Sequence, residues 1–312
     1  MTIGPSISSR FEKSSVTGLV FAIVGALLFS FKPVLIKLIY QQQVDTVTIL
    51  AYRMLFSLPF YLVVGIWVIH RKRATLSIRA RAIFQAIGLG IVGYYGAAYA
   101  DLYGLQFIST QLGRMILFTY PTLVTLFGWW LLDYPIRKGT FRALLISYVG
   151  IALIFSHDLQ LYGSDVMQGA GWVFCSAVAF SFFLVFSKAL IGGLGSKLFT
   201  CIAMSSAAVM VLLHYALRGF GEMPNTQGLS LILILAVFST VLPSFFVSAA
   251  ISRIGSSRTA IAACLGPVMT SILAVWLLDE IFSFNHFIGL ALVVIAVASI
   301  SISRDEPVGK GG

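Results

Sequence analysis

The stretch YPTLVTLFGWWLLD, residues 120–133, recurs 146 positions later in the chain as GPVMTSILAVWLLD, residues 266–279. A second pair of similar stretches, FSFKPVLIK at residues 29–37 and FSFFLVFSK at residues 180–188, is offset by 151 positions. Neither match needs a gap, and the two offsets differ by only five positions. Chance similarity between leucine-rich segments is the alternative, but two such close registers favour an internal repeat.

The composition is that of a membrane protein. Of the 312 residues, 59% are hydrophobic and only 10% are charged, with a mean hydropathy of +0.96. Apolar residues form blocks of about 20, the length that a helix needs to cross a bilayer. We therefore expect an all-α polytopic membrane protein with ten transmembrane helices arranged as two inverted five-helix repeats. The predicted spans lie near 17–39, 47–69, 82–104, 108–131, 140–156, 168–190, 198–217, 229–251, 255–278 and 284–303.

Basic residues predict the direction of the spans, because short cytoplasmic loops of membrane proteins are enriched in lysine and arginine. With the N-terminus inside, the inside segments contain sixteen of the 21 basic residues, the outside segments contain one, and four lie within spans. Both terminal tails, 1–16 and 304–312, are thus predicted to be cytoplasmic. The net charge of +10 is explained by these loops, so we expect contact with membrane lipids and not with nucleic acid.

The repeat predicts a particular architecture. We place the first five-helix repeat at 17–157 and the second at 168–303. Because five is odd, the second half must cross the membrane in the opposite sense to the first. Inverted repeats of this kind are typical of alternating-access carriers, whose substrate site lies near the bilayer midplane.

The sequence resembles a known family over residues 15–303. The two WLLD helix ends and the stretch RIGSSRTAIAACLGPV at residues 253–268 are similar to the EamA branch of the drug/metabolite transporter superfamily. That family usually has Leu-Gly-Glu at these helix ends, whereas this chain has LLDYP and LLDEI. The resemblance implies a central cavity lined by helices 1, 3, 4, 6, 8 and 9. It also implies export of amino acids, other small metabolites or toxic compounds across a bacterial inner membrane.

Four charged residues inside the predicted spans are the strongest candidates for function. Lys32, Arg53 and Arg114 lie at a similar depth in the outer half of the membrane, and Asp101 lies near the outer end of helix 3. Charges inside a membrane normally face the protein interior or an aqueous cavity. We expect Lys32 and Arg114 to attract a carboxylate or phosphate of the substrate, and Arg53 and Asp101 to form a structural or gating pair. A purely structural ion-pair network, or an Arg53 that reaches the interface, are the alternatives, and Asp101 also offers a site for proton coupling.

Aromatic residues complete the predicted cavity. Tyr95, Tyr99 and Tyr103 follow one face of helix 3, and Tyr120 precedes a proline in helix 4. Such stripes are also typical of packing or of interfacial belts, but Tyr95 is predicted near mid-membrane, where a hydroxyl needs a partner. We expect Tyr95, Tyr99 and Tyr120 to line the cavity, which would suit a zwitterionic or acidic, partly apolar metabolite.

Prolines interrupt four of the predicted helices. Each proline removes one backbone hydrogen bond and can bend its helix. We predict that they act as hinges of alternating access, with static kinks as the alternative. The four are Pro33, Pro121, Pro243 and Pro267.

Enzymatic function finds no support in the sequence. It contains no HExxH, GxSxG or P-loop motif, and the four histidines are dispersed at predicted helix ends. We therefore expect a secondary transporter without a catalytic centre, a cofactor or a metal, whose partner is a small-molecule substrate. Export is favoured only by the resemblance. An importer or facilitator of the vitamin or nucleotide type is the alternative, followed by a channel, and the sequence predicts no oligomeric state.

Overall fold

The computed structural model describes residues 7–72, 80–133 and 140–303. The described residues are 89% helical and contain no strand. The helices are α1 (Ile7–Gln41), α2 (Thr46–Lys72), α3 (Ala80–Gly90), α4 (Ala97–Gly104), α5 (Thr110–Leu117), α6 (Tyr120–Leu132), α7 (Thr140–Tyr162), α8 (Asp165–Leu194), α9 (Ser196–Leu217), α10 (Thr226–Ala236), α11 (Leu242–Ala263), α12 (Leu265–Leu278) and α13 (Phe284–Ser303). Two π-helical segments, Ile91–Gly96 and Val237–Val241, join α3 to α4 and α10 to α11.

The helices confirm the predicted class of an all-α polytopic membrane protein. Among the described residues, eight helical stretches are long and apolar enough to cross a bilayer, and two shorter apolar helices follow at Leu265–Leu278 and Phe284–Ser299. The count of ten spans stays a prediction. The predicted cytoplasmic tails fall mostly on residues 1–6 and 304–312, which lie outside the described ranges.

One predicted loop is helical. The loop expected between residues 251 and 255 falls within α11. This helix passes Gly25 of α1 and reaches Gly18, against which Ile254 packs. Twelve residues after Ile254, the carbonyl of Gly266 accepts a hydrogen bond from Ser30 Oγ. Ser30 lies twelve residues beyond Gly18 on α1, which is about 18 Å at 1.5 Å per residue. The chain therefore turns back along α1 between Ile254 and Gly266, so the range of α11 includes the turn between two predicted spans.

The repeat is visible in where the helices change their pitch. The π-helical segments that follow α3 and α10 begin at Ile91 and Val237, which are 146 positions apart. A π-helical turn is rare in proteins. Its recurrence at the same offset extends the repeat to helices in which the sequences themselves are not obviously similar.

The WLLD helix ends also adopt the same backbone geometry. Asp133 and Asp279 both end their helices in the left-handed region, with φ of 53° and 54°. A non-glycine residue with positive φ is uncommon, although aspartate tolerates it better than most. The shared aspartate is thus explained by helix termination, which is a structural role.

Two serine hydrogen bonds relate the halves to each other. Ser30 Oγ of α1 donates to the carbonyl of Gly266 at 3.1 Å, and Ser181 Oγ of α8 donates to the carbonyl of Tyr120 at 3.3 Å. Ser30 and Ser181 are 151 positions apart, and Tyr120 and Gly266 are 146 positions apart. Each half therefore makes the same contact to the other half, as a two-fold axis requires.

Equivalent helices of the two halves pack antiparallel. Along the contact of α2 with α9, Tyr52 lies 6.1 Å from Tyr215 between ring centroids, and Gly65 packs against Cys201. The residue number thus rises on α2 while it falls on α9. The same holds for α7 and α13, where Gly150 packs against Gly289 and Ala143 lies with Ala296 in one core cluster. This packing agrees with inverted halves, whereas the bounds of the two five-helix repeats stay a prediction.

Candidate substrate site

An ion pair between α1 and α4 forms the centre of the site. Lys32 Nζ lies 2.7 Å from Asp101 Oδ2, and the two side chains are 20% and 8% exposed. The predicted ion pair between Asp101 and Arg53 is wrong, because Asp101 pairs with Lys32 and Arg53 makes no salt bridge among the described residues. Arg53 is nevertheless buried and close enough to interact electrostatically with Asp101.

Two further cations surround this pair. Arg53 and Arg114 both interact electrostatically with Lys32 and with Asp101. The Nε atoms of both arginines are buried without a hydrogen-bond partner in the described structure. Three cations and one carboxylate therefore share one buried region, which has a formal charge of +2. We call Lys32, Arg53, Asp101 and Arg114 the charged cluster.

Aromatic side chains pack in a row beside the charged cluster, and we call Tyr94, Tyr120, Phe180 and Phe183 the aromatic wall. Tyr120 lies within electrostatic reach of Arg114, and its ring centroid lies 5.4 Å from that of Phe180. Phe180 stacks on Phe183 at 6.0 Å, and Phe183 contacts Tyr94 at 4.7 Å. The wall thus runs from α6 through α8 to the π-helical segment after α3. Tyr120 was predicted from the sequence, whereas the rest of this wall was not.

The wall closes on the charged cluster through Tyr61. Tyr94 interacts electrostatically with Tyr61, and Tyr61 interacts with Arg53. Phe183 occupies the repeat position that corresponds to Lys32. At equivalent repeat positions, the first half therefore contributes a cation and the second half an aromatic ring. The site thus has a positively charged side and an aromatic side.

Tyr95 and Tyr99 lie elsewhere, contrary to the prediction that they line the cavity with Lys32. Tyr95 is hydrogen-bonded to Nδ1 of His214 at 2.9 Å, and Tyr99 packs on Trp172 and His214. On an α-helix, Tyr99 lies about 160° around the axis from Asp101, so it faces away from the charged cluster. The π-helical turn brings Tyr94 to the interior in place of Tyr95, and the sequence carries no clear signal of that turn.

The four prolines differ in their surroundings. Pro121 follows a break between α5 and α6, and Pro267 follows a break at Cys264, 146 positions after Phe118. Pro243 lies two residues after the end of a π-helical segment, whereas Pro33 lies inside the unbroken helix α1. Their action as hinges stays a prediction.

A polar cavity opens at one end of the molecule. It has a volume of about 690 Å³ and is lined by residues at the C-terminal ends of α1, α7 and α12 and by the α1–α2 and α4–α5 connections. Lys37 and Glu280 line it and interact electrostatically. Tyr40 also lines it and lies within electrostatic reach of Asp101. None of the four residues of the charged cluster lines the cavity itself.

A separate cluster joins α7 and α13 near this cavity. Asp158 and His286 are fully buried, with Oδ1 and Nε2 3.3 Å apart, and the His157 ring lies 4.8 Å from that of His286. The ligand atoms of the three residues lie within 4.8 Å of one another, as metal ligands could. His157 and His286 are distant in sequence, so only the antiparallel packing of α7 on α13 brings them together. The absence of a metal site stays a prediction.

The inverted halves, the multi-pass architecture and the buried charged cluster between them define the class of this protein, which is a membrane transporter. The chain belongs to the EamA-like transporter family, whose sequence model matches residues 16–156 and again residues 167–302. The resemblance noted in the sequence is thereby confirmed. Proteins of this family are in general transporters and not enzymes.

Similar proteins are also named transporters. The uncharacterized transporter YcbK of Bacillus subtilis is 23% identical over 94% of this chain and 95% of its own length. An uncharacterized transporter of Synechocystis sp. is 20% identical over 93% of this chain and 94% of its own length. A solved crystal structure superposes with a TM-score of 0.65 at 16% identity, covering 95% of this chain and 99% of that one. That likeness shows the fold.

Proposed function

We propose that the protein is an alternating-access carrier of small metabolites that bear an anionic group. Amino acids, related zwitterionic or anionic metabolites and drugs are the substrate classes, and export is the direction. The observation that carries this proposal is the excess of buried positive charge. Lys32, Arg53 and Arg114 share only Asp101 as a carboxylate within the described part of the cluster.

Electrostatics makes this excess strong enough to select a substrate. Two unit charges 4 Å apart attract each other by about 4 kcal/mol at an effective dielectric constant of about 20. Part of this energy offsets the desolvation of the substrate. If about 2.8 kcal/mol remains, an anionic compound binds about 100-fold more tightly than its neutral analogue. The aromatic wall formed by Tyr120, Phe180 and Phe183 would receive the apolar part of the same substrate.

The ion pair between Lys32 and Asp101 offers a way to couple substrate binding to proton transfer. A substrate carboxylate that approaches Lys32 competes with Asp101, which lies 2.7 Å away. Substrate binding would therefore change the contacts of Asp101 for as long as the substrate is bound. Proton coupling through Asp101 therefore remains part of the proposal.

The two ends of α1 support alternating access. At one end the 690 Å³ cavity is open, and the distribution of basic residues predicts that this end faces away from the cytoplasm. Toward the other end, Ala22 of α1 packs with Ala250 and Ala262 of α11 in a small apolar core. The conformation thus fits an outward-open state, and the prolines beside the helix breaks are the proposed hinges.

An importer or facilitator of vitamins or nucleotides would use the same anion-binding cluster. A channel would need an open path through both ends. Counterflow in proteoliposomes separates these classes, because only a carrier is stimulated by substrate on the far side. Measurement of uptake and efflux in oriented vesicles decides the direction.

The site is tested by thermal unfolding of the purified protein with matched ligand pairs. We expect L-phenylalanine to stabilise more than L-phenylalaninol, or glutamate more than glutamine, with nucleotides and acidic vitamins screened in parallel. Arg114→Gln should remove the preference for the charged member. Arg218→Gln, which changes an exposed arginine paired with Asp45, is the control and should keep it. Equal preference in wild type and Arg114→Gln would refute the proposal.

A further inference from the structure

A basic aromatic cluster lies at one end of the contact between α2 and α9. The guanidinium carbon of Arg71 lies 4.8 Å from the centroid of the Trp67 ring, and Lys197 Nζ lies 5.3 Å from the same centroid. All three side chains are exposed. No described carboxylate lies within salt-bridge distance of either cation. Two unpaired positive charges are thus held on one indole ring, where a membrane helix reaches the interface.

An apolar groove begins beside this cluster. It has a volume of about 500 Å³ and runs along α9 from Leu198 to Leu213, with α2 and α3 as its walls. At 1.5 Å per residue, this stretch of α9 is about 22 Å long. The lining is almost entirely aliphatic, and Val209 is 61% exposed, so the groove opens to the lipid side.

One polar side chain of the groove is already hydrogen-bonded within the protein. Ser206 Oγ donates to the carbonyls of Ala203 and Ile87, at 2.9 and 3.3 Å. A hydrocarbon chain that covers Ser206 therefore leaves this hydroxyl satisfied.

The two features adjoin each other because α2 and α9 are antiparallel. Lys197 directly precedes Leu198 at the start of α9, and Arg71 follows Ile69 near the end of α2. We propose that this face binds one anionic phospholipid, with its phosphate between Arg71 and Lys197 and one acyl chain along the groove. The two cations match a phosphate group, and the length of the apolar groove matches an acyl chain, which a free anion lacks.

The proposal is tested by native mass spectrometry of the full chain in detergent, titrated with dioleoyl phosphatidylglycerol or dioleoyl phosphatidylcholine. We expect one phosphatidylglycerol to bind in preference to phosphatidylcholine. The double variant Arg71→Gln with Lys197→Gln should weaken that binding about 30-fold, the effect of two interfacial basic residues. Val209→Trp, which fills the exposed groove, should also weaken it.

Arg253→Gln is the matched control, because Arg253 lies 5.0 Å from the Phe21 ring centroid, away from the groove. It should bind phosphatidylglycerol as wild type does. Equal binding of the two lipids, wild-type binding by the double variant, or wild-type binding by Val209→Trp would each overturn the proposal. Displacement of the lipid by equimolar inorganic phosphate would also overturn it, because the site would then be one for a free anion.

Discussion

Replacement of Asp101 by asparagine should destabilise the protein more than replacement of its partner Lys32 by methionine. In Asp101→Asn, the only carboxylate of the charged cluster is lost while Lys32, Arg53 and Arg114 stay buried together. Removal of one partner of a buried ion pair costs about 3–5 kcal/mol, because the other charge is left uncompensated. We expect a loss in this range for Asp101→Asn.

Lys32→Met should have a smaller effect. Asp101 keeps two cations within electrostatic reach, and the repulsion between Lys32 and the two arginines disappears. The remaining loss is that of one charge-assisted hydrogen bond, about 1.5–3 kcal/mol. Arg218→Gln serves as the control, because the side chains of Arg218 and Asp45 are 59% and 43% exposed. An exposed pair of this kind contributes about 0–1 kcal/mol.

The assay is reversible unfolding in mixed micelles, followed by circular dichroism, with the free energy of unfolding extrapolated to zero denaturant. The expected order of destabilisation is Asp101→Asn, then Lys32→Met, then Arg218→Gln. If Lys32→Met costs as much as Asp101→Asn or more, the cluster does not carry an excess of positive charge, and the electrostatic reasoning fails.

Two further predictions concern packing. Gly93→Ala would place a Cβ in steric conflict with Phe183 of α8 and should lower stability by about 1–3 kcal/mol. Gly88→Ala meets nothing within 4 Å and should be neutral or slightly stabilising in thermal unfolding. Equal melting temperatures for the two variants would contradict the close approach of the helices. The second prediction uses a chain that lacks its native cysteines. In it, Ala143→Cys should form a disulfide with Ala296→Cys but not with Phe287→Cys, as measured by gel mobility. A disulfide with Phe287→Cys and none with Ala296→Cys would argue against the antiparallel packing of α7 and α13.

The repeat could be predicted because its signal lies in local sequence. The WLLD helix ends have the same residues. Asp133 and Asp279 also share a left-handed backbone conformation, which aspartate tolerates better than most residues. The equivalence of the π-helical segments at Ile91 and Val237 could not be predicted in this way. It depends on the close packing of neighbouring helices, for example at Gly93, where the sequence shows only a glycine.

The sequence predicts which residues form the charged cluster, but it does not predict which cation pairs with Asp101. Depth along each helix predicts that Lys32, Arg53 and Arg114 lie at one level and that Asp101 lies nearby, and the structure brings all four together. Which cation meets Asp101 depends on how each helix is rotated about its axis and on where its neighbours lie. For the same reason Tyr95 was expected inside, because a regular helix without the π-helical turn was assumed.

The most direct test of the central claim is counterflow in proteoliposomes with an anionic substrate identified by thermal unfolding. Wild type and the control Arg218→Gln should both show uptake that is stimulated by substrate trapped inside. Arg114→Gln, reconstituted to the same level, should lose most of this stimulation for the anion at equal concentration. Wild-type counterflow by Arg114→Gln would contradict the claim that the buried cations between the inverted halves bind the transported anion.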